Sequence, residues 1–388
     1  MASSELIPRK PGISKMIFII TLIVVAAVSG VTGYLVNGYL HPVQSAPNET
    51  LNGAGATFPY PLLSAIALNY SRSHTNVAIN YQSIGSGGGI NALIKKTVDF
   101  AASDAPLNAL QRGNATNSLH IPETVGAVVV AYNVFEPDGK TPLPTGLHLN
   151  ATVIAKIFLG QINNWNDTSI RQLNPGFGSI LPNQQIVSVH RSDGSGTTFV
   201  FTGYLTAATT IWTPGQGTSV TWPAPNGLGA SGNEGVAGVI RGTPGTIGYV
   251  ELAYAVTNNM KDANVLNHDG NTYVKPSLTN VTFAVTNATS IFPKGNESWS
   301  SVNLLNGPGA STYPIASFSY LLVYQELNVI PGMTLDKAKA LVDFLWFTVH
   351  NGQFQAPPLS YVPLPQSIVH IDETTIASIT YNGQTLPN

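Results

Sequence analysis

The chain contains no cysteine. That absence removes disulfides, thiolate metal sites, thiol nucleophiles and any lipid-bearing N-terminal cysteine. Charge is also scarce. Asp, Glu, Lys and Arg together make up 9% of the 388 residues, against roughly a quarter in ordinary globular proteins. So uncharged a surface must be solvated by Ser, Thr, Asn and Gln. This suits a habitat where carboxylates are protonated, or a surface covered by glycans. The net charge is −2 and no basic patch is present, which excludes nucleic acid as a partner because backbone affinity needs clustered Lys and Arg. The eight histidines show no His-x-x-x-His spacing, so neither a metal nor a cofactor is expected. Apolar residues at 43% argue against disorder. The length calls for two domains.

The N-terminus carries the location signal. Residues 1–15 form a basic flank with Arg9, Lys10 and Lys15, and no charge follows from Met16 to Leu40. A run of about 20 or more such residues spans a bilayer as a helix. The basic flank stays inside, which places everything after Leu40 outside the cytoplasm. A cleaved signal peptide, which would release the protein, is the competing reading. The run exceeds a usual signal core and favours a retained anchor at 16–40, with 41–50 as a tether. Asn-x-Ser/Thr acceptor triplets begin at Asn48, Asn69, Asn114, Asn150, Asn166, Asn280, Asn287 and Asn296, as in an exported, glycosylated surface protein.

Three loops share one form: glycine, hydroxyl, helix start. They are Gly53 to Pro59, Ile84 to Gly89, and His190 to Thr198. The third holds Arg191 beside Ser195 and Thr197, with Gly194 and Gly196 letting the backbone approach a ligand closely. Helix N-termini point unpaired N–H groups outward, and the Arg191 fork fits an oxyanion. Together they suit a small tetrahedral anion. The alternative for the third loop is an Asp-Gly turn that merely caps a helix.

Short strand-like and helical runs alternate along the chain. Strands are expected at 77–81, 98–102, 125–132, 186–190, 245–251 and 317–325. Helices are expected at 61–70, 90–96, 152–159, from Phe199, and at 335–350, with 357–365 a rigid extended segment and 258–312 irregular. This alternation predicts α/β layers with a mostly parallel sheet. The run Gly227 to Gly232 matches a dinucleotide-binding pattern by letter but follows no strand, so it is set aside.

The segments 53–59 (Gly-Ala-Gly-Ala-Thr-Phe-Pro), 81–89 (Tyr-Gln-Ser-Ile-Gly-Ser-Gly-Gly-Gly), 98–107 (Val-Asp-Phe-Ala-Ala-Ser-Asp-Ala-Pro-Leu) and 191–201 (Arg-Ser-Asp-Gly-Ser-Gly-Thr-Thr-Phe-Val-Phe) resemble the phosphate-binding protein of the ABC-type phosphate-uptake transporter. So do 232–238, 244–251 and 361–365, in the family's order. The resemblance implies a two-lobed, type II periplasmic-binding-protein fold with a hinge. Lobe one would be 50–132 with 316–388, and lobe two 133–315. It also implies that Thr57, Phe58 (through its N–H), Ser86, Asp104, Arg191, Ser195, Gly196 and Thr197 contact phosphate, with Asp193 behind them. An ABC permease is the implied partner, and the protein itself is a monomer on the outer face of the cytoplasmic membrane. His190 departs from the family pattern, where a second basic residue often precedes the Arg. Residues 258–312 follow no alignable pattern.

Within that implied site, Asp104 is the discriminating residue. A carboxylate beside an anion repels it unless the anion has a proton to donate. Monobasic and dibasic phosphate carry one; sulfate does not. A mismatched buried acceptor costs roughly 1–3 kcal/mol or more. The alternative is that Ser103-Asp104 caps a turn. Another tetrahedral oxyanion, or a surface protein outside transport, remains open. An enzyme is disfavoured, because Ser195 lies in Gly-Ser-Gly with no histidine placed by sequence to activate it.

Overall fold

In the computed structural model, which describes residues 48–288 and 291–386, eleven strands form one mixed sheet. In chain order they are β1 (Glu49–Gly55), β2 (Val77–Ser83), β3 (Phe100–Ser103), β4 (Ser118–Asn133), β5 (Leu147–Leu149), β6 (Val187–Arg191), β7 (Leu228–Ala230), β8 (Thr246–Glu251), β9 (Lys261–Leu266), β10 (Tyr273–Val274) and β11 (Ala316–Tyr324). The order across the sheet is β2-β1-β3-β11-β4-β8-β6-β7, with β9 pairing the end of β4 and carrying β5 and β10. The expected span at 16–40 lies outside the described residues. Among the described residues no helix is long and apolar enough to cross a membrane.

Strand β4 is the spine of the two-lobed α/β architecture. Its residues Ser118 to Ala127 pair with β11, and Val128 to Asn133 pair with β8. All but the last residue of this strand are buried, which matches its continuous apolar character. The sheet is mixed rather than mostly parallel. β1, β2 and β3 are mutually parallel, as are β6, β7 and β8, but β11 is antiparallel to β3 and β4, and β4 to β8. The reason is topological: the chain leaves the first half-sheet along β4 and returns along β11, so the two crossings run oppositely. The pairings also turn the carboxyl ends of the two parallel groups toward each other over the middle of β4. In open α/β sheets those ends are where ligands sit.

Other expectations shift in instructive ways. The helix expected from Ile90 begins at Gly85, because Gly85 takes the positive φ of +80° that starts the turn. The segment 258–312 contains β9, β10 and the helix Leu278–Thr286. Residues 294–299 then dock on the first half-sheet: Gly295 O accepts from His120 N at 2.8 Å, Arg112 donates to the carbonyls of Asn296 and Glu297, and the fully buried Trp299 packs edge-on to Phe318 and Tyr320. The segment 357–365 is not uniformly extended. Pro357–Leu359 forms a 3₁₀ turn closed by left-handed Ser360, after which Val362 bridges Val125.

Candidate functional site

Each residue singled out from the sequence lies at or just beyond the carboxyl end of a parallel strand, or at the helix start that follows one. Thr57 and Phe58 follow β1 and precede the helix Tyr60–Ser73. Ser86 is the second residue of the helix Gly85–Ile94, which follows β2. Asp104 follows β3, and Arg191 ends β6. Ser195 caps the helix Gly196–Ala208, of which Gly196 and Thr197 are the first two residues. All eight are buried.

The structure brings these groups together across the two halves. Arg191 Nη1 donates to Thr57 Oγ1 at 3.1 Å and to Thr197 Oγ1 at 3.4 Å. Its other donors pair with Asp193, Nε to Oδ1 and Nη2 to Oδ2. Gly87 N donates to Gly194 O at 2.8 Å, and Tyr254 Oη to Thr57 O at 2.7 Å. Glycine is required where the halves touch. A Cβ on Gly196 would lie 2.3 Å from Asp104 Oδ2 and 2.4 Å from Ser86 Oγ. A Cβ on Gly85 would lie 2.4 Å from Asp193 Oδ2.

Three of the hydroxyls, those of Thr57, Ser195 and Thr197, are held in one sense. Thr57 Oγ1 accepts from Arg191 and from Asn233 N and Nδ2. Thr197 Oγ1 accepts from Arg191 and Asn233. Ser195 Oγ accepts from Thr198 N at 3.0 Å, whereas Ser86 Oγ accepts from Asp104 N at 3.2 Å and gives its own hydrogen to Asp104 Oδ2 at 3.4 Å. A hydroxyl that accepts from the protein turns its own hydrogen elsewhere. Three free hydroxyl donors thus converge near one guanidinium and several helix N-termini, an arrangement suited to a small oxyanion.

Asp104 is the acceptor in this donor set. Burial raises its carboxyl to about 7, against the lowering effects of the Ser319 hydrogen bond, the Arg191 charge and the Ser86 hydrogen bond. Its Oδ1 accepts from Ser319 Oγ at 2.9 Å. Asp104 also reaches the wall of a cavity of ≈ 330 Å³ lined by Phe199, Gly203, Gln216, Leu305 and Tyr320.

Sequence reasoning missed Asn233, in the first turn of the helix Gly232–Gly242. Besides its bonds to Thr57 and Thr197, its Oδ1 accepts from Glu251 N at 3.0 Å. The available signal was Ser231-Gly232-Asn233, a fourth loop of glycine and polar residue before a helix, following the short strand β7. Glu123, Glu251 and Tyr361 were also missed. Tyr361 Oη lies 2.6 Å from Phe58 O and 3.1 Å from Glu251 Oε2. Burial pushes the Glu251 carboxyl well above its ordinary range. His190, the departure from the family pattern, stacks on Trp222 and bonds Arg191 O, away from Ser195.

The family model of the PBP superfamily domain matches residues 42–349. A phosphate-binding protein PstS of Xylella fastidiosa is 40% identical over 337 residues, covering 84% of this chain and 85% of that one. A phosphate-binding protein PstS of Methanocaldococcus jannaschii is 35% identical over 371 residues, covering 91% and 92%. Among solved structures, a high-affinity periplasmic phosphate-binding protein, PfluDING, bound with phosphate at pH 8.5, superposes with a TM-score of 0.67 at 20% identity, over 87% of this chain and 99% of that one. The chain belongs to the PBP superfamily and, within it, to the family of the phosphate-binding proteins PstS.

Proposed function

We propose that this protein binds inorganic phosphate between its two lobes outside the cytoplasm and delivers it to an ABC permease for import. The observation that carries the reading is the shared sense of three hydroxyls: Thr57, Ser195 and Thr197 accept from the protein and give it no hydrogen, so each offers its hydrogen to a ligand beside Arg191. Thr57, Ser195 and Thr197 then donate hydroxyls to phosphate, while Ser86 donates to Asp104. Phe58, Gly196 and Thr197 donate N–H groups from helix starts, Arg191 supplies the countercharge, and Asp104 accepts the phosphate proton. Asp193 fixes the fork of Arg191. The lobes are taken as 50–132 with 316–388, and 133–315. Binding closes them and excludes water.

The same reading keeps residues 16–40 as a membrane anchor, the protein as a monomer on the outer face of the membrane, and the exposed Asn48, Asn114 and Asn296 as the triplets best placed to carry glycans. The chain is taken as non-catalytic, because the histidine nearest Ser195 in sequence is committed to Trp222 and Arg191 O. Calorimetric titration of the purified chain with phosphate and with sulfate tests the reading. Saturable binding of phosphate with weak or no binding of sulfate is expected. Equal binding of both anions, or of neither, overturns it. Turnover of a chromogenic phosphate ester would revive an enzyme.

A further inference from the structure

Building on the phosphate reading, we infer that Glu123 is a positioning residue for binding: through Ser319 it holds the proton that leaves Asp104 free to accept one from phosphate. The inference begins with a defect in the central strand pair. In the β4–β11 register Thr124 faces Ser319 and Pro122 faces Tyr320, so Glu123 is an extra residue. Pro122 has no N–H to give the ladder. A bulge at such a point re-aims a side chain. Here it sends a carboxyl into the interior of the sheet, fully buried.

Ser319 Oγ lies 3.1 Å from Glu123 Oε1 and 2.9 Å from Asp104 Oδ1. Ser319 has a single hydroxyl hydrogen and cannot donate it to both acids. One of the two carboxyls must therefore carry a proton and donate it to Ser319. The surroundings decide which. Arg191 acts on Asp104 and favours its charge. Glu123 has no such cation acting on it; its neighbours in charge are Asp104 and the neutral Tyr81. Tyr320, Tyr361 and Glu251 also face Asp104. The proton thus sits on Glu123 and the charge on Asp104. In agreement, burial and the Asp104 charge push Glu123 up against the Ser319 hydrogen bond, whereas the Arg191 charge works to lower Asp104.

The consequence is a directional line. Neutral Glu123 donates to Ser319, Ser319 donates to Asp104, and Asp104 keeps its acceptor for the anion. Once Glu123 ionises, a second negative charge lies one hydroxyl away from Asp104, and phosphate binding must first take up a proton. Affinity then falls by about tenfold per pH unit.

The experiment is phosphate titration by calorimetry from pH 6.5 to 9.5 on the full chain and on E123Q. Gln keeps a donor for Ser319 and cannot ionise. The ligand's own ionisation acts equally on both proteins, so the ratio of their dissociation constants reads Glu123 alone. The ratio should be flat below pH 7.5 and shift by about tenfold per unit above pH 8.5; superimposable profiles overturn the inference. An infrared difference spectrum of the two ligand-free proteins at pH 7 supplies a second readout. It should contain one protonated-carboxyl carbonyl band that fades as pH rises through 8, and a missing band overturns the inference independently. If neither protein binds phosphate at any pH, it is the functional reading that fails, and the infrared band still decides Glu123. Should E123Q not fold, S319A replaces it. Cutting the link should shift that band and weaken phosphate binding at pH 7 at least tenfold, and an unshifted band overturns the inference.

Discussion

Arg191 grips Asp193 with two of its nitrogens, Nε to Oδ1 at 2.7 Å and Nη2 to Oδ2 at 2.5 Å. Burial alone would raise the Asp193 carboxyl, but the hydrogen bonds and charge of Arg191 outweigh it and hold it below the usual range. The pair fixes the plane of the guanidinium, so that Nη1 alone is left for Thr57 and Thr197. A lysine cannot reproduce this, because a point charge cannot pair with Asp193 and also reach the hydroxyls. Arg191→Lys should therefore weaken phosphate binding by about 2–3 kcal/mol, on the order of 100-fold, despite conserving charge. Titration calorimetry checks it, and a loss under threefold would show that charge rather than the fork matters.

Asp104 lies on the other side of the donor set, 3.4 Å from Ser86 Oγ. If its role is to accept a ligand proton, Asp104→Asn should relax selection more than it abolishes binding. Asn offers an NH₂ that a fully ionised oxyanion can use. The ratio of sulfate to phosphate affinity should rise at least tenfold, since a mismatched buried acceptor costs roughly 1–3 kcal/mol. Competition titrations at pH 7 measure that ratio, and no change in it would remove Asp104 as the selector.

Asn233 ties three elements together through Thr57, Thr197 and Glu251 N. Asn233→Ala removes the side-chain donor shared by Thr57 and Thr197 and the acceptor for Glu251 N, and should weaken phosphate binding by about 1–3 kcal/mol. Asn233→Asp keeps the shape but cannot donate to the hydroxyls, and adds a negative charge beside the anion. It should be the more damaging of the two. The reverse order, by titration, would mean that Asn233 acts through packing alone.

The legible parts of this fold were those with a local signature. The glycine-hydroxyl loops at Thr57, Ser86 and Ser195 announced themselves by composition, and the structure gathers them at one place. What escaped was set by long-range pairing. β4 was read from Val125, because Pro122 and Glu123 argue against a buried strand, yet pairing with β11 carries it back to Ser118. Asn233 was passed over because Leu228 to Ala230 gave too short a run to read as β7, whose end places it. The direction of β11 could not be read at all, since period-two patterns carry no orientation.

Buried acids should make this protein more stable as pH falls. Burial raises Asp104 to about 7 and Glu123 to about 8, and pushes Glu251 and Asp372 well up. An acid whose folded value is raised contributes stability fully present below its unfolded value near 4, and that stability is lost as pH rises through the folded value. His120, lowered by burial to about 3, and His190, also lowered by burial, oppose this below pH 6.5, but they are two imidazoles against four carboxyls. Melting temperature should therefore rise from pH 8 to pH 5. Asp372, whose two oxygens lack partners among the described residues, is the cleanest probe. Asp372→Asn should stabilise by about 1–3 kcal/mol at pH 7 and by much less at pH 4. An equal gain at both values would contradict the linkage.

Gly196 offers a test that separates closure from stability. Its missing Cβ would collide with Asp104 and Ser86, which belong to the opposite half of the sheet. Within its own helix the same methyl is welcome, since alanine favours helix over glycine by up to about 1 kcal/mol. On the proposed closure, this Cβ position is free in an open, ligand-free form and blocked when the halves meet around phosphate. Gly196→Ala should thus leave the ligand-free melting temperature unchanged or slightly higher, while phosphate no longer raises it. Thermal unfolding with and without phosphate reads both effects in one experiment. A variant that phosphate still stabilises as strongly as the parent would show that the close approach of Gly196 to Asp104 is dispensable for binding, and that the lobes grip the anion in some more open arrangement.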